Sequence, residues 1–436
     1  MGVARFWSDA LARLDAASDG HSTSPVPDEL TVPAYRIAVI CIAIAFTLTG
    51  LYTGSALADA LGLATGLRAV VIGSAVLAVM SVPAAIIGAK TRLSTYMIVV
   101  RVFGVGGSRI VNLILAAVLL GWYAVTAELF GRTCYLTMQG YGVAAAPQWM
   151  YTIGCSALVI ATTIFGFRAI DKLSLAVAPV LVALIGYVAW RALEHTPWAD
   201  MLLVPGKHVN LGTGISAVIG GMIVNVVLMP DITRYARSAT DGAVISITGN
   251  GFGGGAAVLL AMLPALAFHE VDPMKYMAIL GLVGVAFATL VISTWTINAV
   301  NLYSTGLVTS TALPGVGYAR IVIGCGAVGT VLGLVGIADR LIDFLVILGL
   351  IVPPIAAVYV TDYFILARRE YSTAPAGRRV NATGLIACAL GGAVGLAMYY
   401  TDVSLTGAPA IESFLTAAVF YALAERIRRP HRRDAR

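Results

Sequence analysis

About a dozen apolar runs, each of roughly 20 residues and separated by short charged connectors, leave this chain one solvent in which to fold. In hydrocarbon, an unpaired backbone N–H or C=O is costly, so a spanning segment must be a helix or part of a closed barrel. A barrel would show short strands of alternating polarity. Here the runs are continuous, as in 153–163 and 341–356. Charged residues make up 11% of the chain, against about 25% in a soluble domain, and so cannot clothe a globular surface. The expected fold is an all-α membrane protein with about twelve spans. They fall near 35–61, 68–89, 110–138, 150–167, 173–193, 212–230, 244–268, 278–303, 319–337, 341–366, 381–400 and 410–424.

An even number of spans places both termini on one side. With the N-terminus taken as cytoplasmic, all of the 28 Lys and Arg residues except Arg68, Arg132, Arg191, Lys207, Lys275 and Arg340 fall inside. That bias is the positive-inside signature of a bacterial-type inner membrane protein. The net charge of +6 therefore reads as topology and not as nucleic-acid binding. Residues 1–34, with Asp9, Asp15, Asp19, Pro25 and Pro27, read as a cytoplasmic tail. They carry no secretory signal pattern, and Phe6 breaks a myristoylation motif. The basic run 425–436 reads as a second cytoplasmic tail, a positive-inside anchor, with contact to anionic lipid as the alternative.

Cys41, Cys134, Cys155, Cys325 and Cys388 sit inside apolar runs without metal-ligand spacing and read as packing residues. His21, His195, His208, His269 and His431 are scattered. No set of His, Asp or Cys has catalytic spacing, so an enzyme is not expected. No cofactor is implied beyond a coupling ion.

Two spans look interrupted. The first carries Phe46-Thr47-Leu48-Thr49-Gly50, and the sixth carries Gly212, Gly214, Gly220 and Gly221, then Asn225, and stops at Pro230. They hold equivalent places if 35–193 and 212–366 are two inverted five-helix repeats, with 380–424 peripheral. Unwound backbone at such a break offers carbonyls to a cation and N–H groups to a solute. Glycine in a membrane helix also serves close packing, which is the competing reading. Polar residues within apolar runs mark the remaining candidates. The third span holds Trp122, Tyr123, Thr126 and Glu128, the last four residues before Arg132. The eighth holds Ser293, Thr294, Trp295, Thr296, Asn298 and Asn301.

Five stretches together resemble the nucleobase–cation symporter family, which includes cytosine permeases and hydantoin and allantoin carriers. They are GAKTRLSTYMIVVRVFGVGGSRIVN (88–112), GWYAVTAELF (121–130), LMPDITRYAR (228–237), TWTINAVNLYSTGL (294–307) and VPPIAAVYVTDYFI (352–365). The resemblance implies the leucine-transporter fold, alternating access, a flat heterocycle held by aromatic side chains of the third and sixth spans, and sodium between the first and eighth. Trp122 matches the family's stacking tryptophan, and Met222 stands where the sixth-span aromatic is usual. Leu119, Val224 and Ser293 stand where cytosine permeases carry Gln, Ser and Asn. That pattern points away from cytosine, with Asn225 or Asn298 supplying substitute amides. Thr296 matches one hydroxyl ligand of sodium, Ile297 replaces a second, and carbonyls around Phe46 and Thr49 complete the expected set. Proton coupling through Glu128 and uncoupled uptake are the alternatives. Asp231 and Arg234 are expected in an inner gate or helix-end network, against the alternative of a solvated pair. A same-fold symporter of an amino acid or other small organic solute is the competing function. It would not need Trp122.

Overall fold

A computed structural model describes residues 24–428 except 144–145, 166, 208, 314, 368–370, 372–378 and 402. The expectations for the tail up to residue 23, the basic run from residue 429, and His21, His208 and His431 lie outside the described residues.

The described residues are built from helices and their connectors and form only two isolated β-bridges, Val32 with Ala236 and Gly62 with Pro205. The main helices in order are α1 (Ala34–Ala45), α2 (Leu48–Thr91), α3 (Thr95–Gly140), α4 (Gln148–Phe165) and α5 (Phe167–His195). Next come α6 (Leu211–Val227), α7 (Ala239–Phe268), α8 (Val283–Ala312) and α9 (Tyr318–Leu334). The last are α10 (Leu341–Ile351), α11 (Pro353–Thr361), α12 (Ala382–Thr401) and α13 (Pro409–Arg428). Among the described residues, 6 helices are long and apolar enough to cross a membrane by length and composition, and shorter apolar helices include α6 and α9. The chain is a multi-pass membrane protein.

Three glycine- or threonine-centred joints shape the first third. Thr47, in extended backbone, ends α1 and caps α2 by accepting from the Gly50 N–H at 3.1 Å. The first span is therefore broken at Phe46–Thr47, as its sequence suggests. Gly62, at φ 67 and ψ 176, divides α2 into 48–61 and 63–91. Only glycine adopts that conformation without strain, and a Cβ there would also lie 2.5 Å from the Val204 carbonyl oxygen. Gly104, at φ 77, divides α3 in the same way, so 95–103 is helical where the sequence suggests a loop. The carbonyls freed at this joint are taken up by the chain entering α12. Asn381 donates its backbone N–H to Phe103 O and its amide to Val102 O, both at 2.8 Å.

The sixth span departs from expectation. Its four glycines lie in the unbroken helix α6, and the interruption falls later, at Leu228, just before Pro230. Gly220 and Gly349 instead let α6 and α10 touch backbone to backbone. A Cβ on Gly220 would sit 1.7 Å from Leu345 O, and one on Gly349 would sit 2.3 Å from Ser216 O. The freed carbonyls at the end of α6 find hydroxyl donors, with Tyr359 Oη reaching Val227 O at 3.2 Å and Thr95 Oγ1 reaching it at 3.5 Å. The tenth span also bends, at Val352, where Pro353 and Pro354 begin α11. Proline is accommodated in a first helical turn because its missing N–H would be unpaired there.

Packing sorts the helices into two groups. Both halves of α2 and the helices α6 and α7 pack together, with α1 against the start of α7. The helices α3, α4, α8 and α9 form the second group, in which α3 runs along most of α8. α10 leans on α6, and α12 and α13 pair outside it.

Candidate functional site

α3 brings Trp122 to the boundary between these groups. Gly121 makes room for an aromatic neighbour, since a Cβ there would lie 2.6 Å from the Phe344 ring. Phe344 of α10 then meets Trp122 edge-on, with ring centroids 5.4 Å apart at 80°. One turn along, the Thr126 hydroxyl donates to Trp122 O at 2.7 Å and lies 3.4 Å from the Thr49 hydroxyl in the first turn of α2. Trp122, Thr126, Thr49 and Phe344 thus form one cluster beside the break in the first span. Trp122 is half-buried and Leu119 is buried.

Met222, Val224 and Asn225 are half-buried in the last turns of α6. Met222 is turned towards α7, where a Cβ on Gly254 would lie 3.0 Å from its Cε. Its sulfur accepts from the Asn225 amide at 3.5 Å. On α8, Ser293 and Thr296 are buried, and the Thr296 hydroxyl donates to Ser293 O at 2.9 Å. Trp295 points away from them and donates to Thr162 of α4 at 3.1 Å. Asn298 is 0% exposed, and neither its Nδ2 nor its Oδ1 has a hydrogen-bond partner among the described residues. Such an unpaired buried amide is costly, on the order of 1–3 kcal/mol.

Oxygen atoms suited to a cation come from two directions. The last four carbonyls of any helix lack partners in regular helical pairing, and α1 ends this way at Ala45, whose own carbonyl accepts the Thr47 N–H at 3.2 Å. Phe46 and Thr49, buried beside the break, and Thr296 with its acceptor lone pairs are of the kind that hard cations prefer. The described residues hold no group of three or more His, Cys, Asp or Glu suited to a transition metal.

Two polar networks stand towards opposite ends of α3. At one end, buried Glu128 pairs with Arg132 at 2.8 Å and accepts the Ala338 N–H at 2.8 Å. Arg132 also reaches Asp339 at 2.7 Å and the Tyr52 hydroxyl at 3.1 Å. A cavity of about 390 Å³ lies beside this network, lined by Tyr52, Asp59, Lys207, Asp339 and Asp343 among others. Trp122 is not among its lining residues. At the other end, Asp231 Oδ1 accepts the Thr95 N–H at 2.9 Å and so caps α3. Arg234 Nε donates to Asp231 O at 3.2 Å, and Arg92 donates to the Arg234 and Ala236 carbonyls while pairing with Asp28 at 3.3 Å.

The sequence alone did not mark Phe344, Tyr52 or Asp339. Phe344 is one aromatic in an otherwise aliphatic run. The charged pair Asp339-Arg340 between the ninth and tenth spans was the available signal for the second network.

Known proteins agree with this architecture. The backbone superposes on Mhp1 in its inward-facing conformation with a TM-score of 0.82 at 17% identity, over 93% of each chain. That likeness carries the fold, the leucine-transporter arrangement. The chain is 27% identical to the cytosine permease of Escherichia coli over 378 residues, which is 86% of this chain and 88% of the relative. It is also 27% identical over 300 residues to the hydantoin permease of Microbacterium maritypicum, covering 62% of this chain and 60% of that one. A family of carriers, and not of enzymes, matches residues 25–419: the chain belongs to the permeases for cytosine/purines, uracil, thiamine and allantoin.

Proposed function

We propose that the protein imports a flat, nucleobase-like heterocycle by alternating access, driven by a sodium or proton gradient. The observation that carries this reading is Asn298, fully buried with both amide atoms unpaired among the described residues. A primary amide offers one acceptor and two donors in a plane, which complements the N–H and C=O edge of a lactam or imide ring. Trp122 supplies a π-face of the kind that stacks on such a ring. Leu119, Val224 and Ser293 leave less hydrogen-bonding capacity than Gln, Ser and Asn would, so a ring with an apolar substituent beside its lactam edge is favoured over cytosine.

The interruption at Phe46–Thr47 and the hydroxyl of Thr296 support a cation site between the first and eighth spans. Alternating access would move the Glu128–Arg132–Asp339 network at one end and the Asp231–Arg234–Arg92 network at the other. The distribution of Lys and Arg supports an inner membrane location, both termini cytoplasmic, with the Glu128 network facing out.

A thermal-shift screen of the purified protein against pyrimidines, purines and hydantoins, with and without sodium, tests the reading. A ligand that binds only the folded state raises the melting temperature by mass action. The expected result is a concentration-dependent rise with at least one lactam-bearing ring. A rise with amino acids and none with heterocycles would support the competing solute class.

A further inference from the structure

We propose that Cys134 of α3 and Cys155 of α4 are a redox-active pair that closes into a disulfide stapling the two helices. Their sulfurs lie 3.8 Å apart, and both side chains are half-buried. A second observation explains why the pair can close. One turn earlier on each helix, Gly131 faces Thr152 so closely that a Cβ on the glycine would lie 2.2 Å from Thr152 Oγ1 and 2.5 Å from Thr152 N. A backbone contact within one turn of both cysteines keeps the two helices close where they stand, and a disulfide needs roughly 4.4–6.8 Å between Cα atoms. Rotation about the Cα–Cβ bonds brings the sulfurs the remaining distance.

The pair also lies at an accessible depth. Cys134 is six residues from the end of α3 and Cys155 seven from the start of α4, so each is about 10 Å from its helix end. The helix from 105 to 140 is about 54 Å long, well beyond a hydrocarbon core of roughly 30 Å, so its ends project from the core. Tyr135 and Tyr151 stand beside the pair with ring centroids 6.2 Å apart, and Trp149, six residues before Cys155, is 54% exposed. Such aromatic residues collect at the membrane–water boundary. The thiols therefore lie just beneath that boundary, within reach of a small disulfide.

The reaction balances with oxidised glutathione or a similar low-molecular-weight disulfide. One cysteine thiolate attacks it, forming a mixed disulfide and releasing one thiolate. The second cysteine displaces the other thiolate, forming the Cys134–Cys155 bond. The two protein thiols lose two protons and two electrons, and one disulfide becomes two thiols. Arg132 stands two residues before Cys134, so the staple would anchor the part of α3 that carries the Glu128 network.

The test treats purified full-length protein with oxidised glutathione, alkylates the remaining thiols, and maps peptides by mass spectrometry under non-reducing conditions. The expected result is a linked peptide containing residues 134 and 155, a mass loss of two hydrogens, and alkylation confined to the other three cysteines. The melting temperature should rise on oxidation, fall back with dithiothreitol, and stay unmoved in Cys134→Ser and Cys155→Ser. Full alkylation of both residues after treatment, or glutathione mixed disulfides without a 134–155 link, would overturn the proposal. The test needs neither transport nor a membrane orientation, so its outcome is separate from that of the proposed function.

Discussion

Arg132 and Asp339, 207 residues apart in the chain, meet through a 2.7 Å ion pair that ties α3 to the turn before α10. The same guanidinium holds Glu128, and these two contacts differ in kind. The Asp339 side chain is 66% exposed, whereas that of Glu128 is 4% exposed. Solvent screens the first pair, and burial makes the second intolerant of a missing partner.

Asp339→Asn should therefore change stability by no more than about 1 kcal/mol. Arg132→Met should cost about 3–5 kcal/mol, because it strands the Glu128 carboxylate in a buried setting. Melting curves of the two variants in one detergent check the contrast. Equal losses would show that burial does not separate the two contacts.

Asn298→Leu should separate stability from binding. Removing an unpaired buried amide should leave the ligand-free protein at least as stable as the parent. Losing the donor and acceptor should weaken heterocycle binding by about 10- to 100-fold, or roughly 1.4–2.8 kcal/mol. Paired thermal-shift and ligand-titration experiments read the two effects independently.

Trp122→Ala should lower heterocycle affinity about tenfold, and Trp122→Phe should recover part of it, since stacking needs a π-surface. Uptake of a labelled heterocycle measures this. Unchanged uptake in Trp122→Ala would remove the indole from the site.

Gly220→Ala should destabilise by about 3 kcal/mol, the upper range for overpacking, because its Cβ would meet Leu345 O. Gly186→Ala, with open space around the new Cβ in α5, should instead stabilise by roughly 0.5–1 kcal/mol. Thermal melts of the two variants check the opposite signs.

The break in the first span was legible because Thr47 and Gly50 form a local helix cap, written within four residues. The sixth span was misread for a physical reason. Glycine serves both unwinding and close packing, and the atoms that decide for packing at Gly220 belong to Leu345, far along the chain. Pro230, a local signal, did mark the true interruption. The joint at Gly62 falls where the first expected span ends, at residue 61, whereas the helix 95–103 before the Gly104 joint was hidden because the charged residues in and around it read as a loop. The pair Glu128 with Arg132 was visible as an i, i+4 spacing, but Asp339 was not, since nothing local ties it to α3. Asn298 stood out as a polar residue in an apolar run. Its lack of partners required all the surrounding helices in place. The cysteines read as packing residues for the same reason, and only the fold brings two of the five together.

The most direct measurement is uptake into proteoliposomes of a radiolabelled hydantoin or nucleobase under an imposed sodium or proton gradient. The expected result is accumulation above the external concentration that collapses when the gradient is dissipated, and that is lost in Asn298→Leu while the protein remains folded. Accumulation unaffected by Asn298→Leu, or no gradient-driven uptake of any such ring, would contradict it.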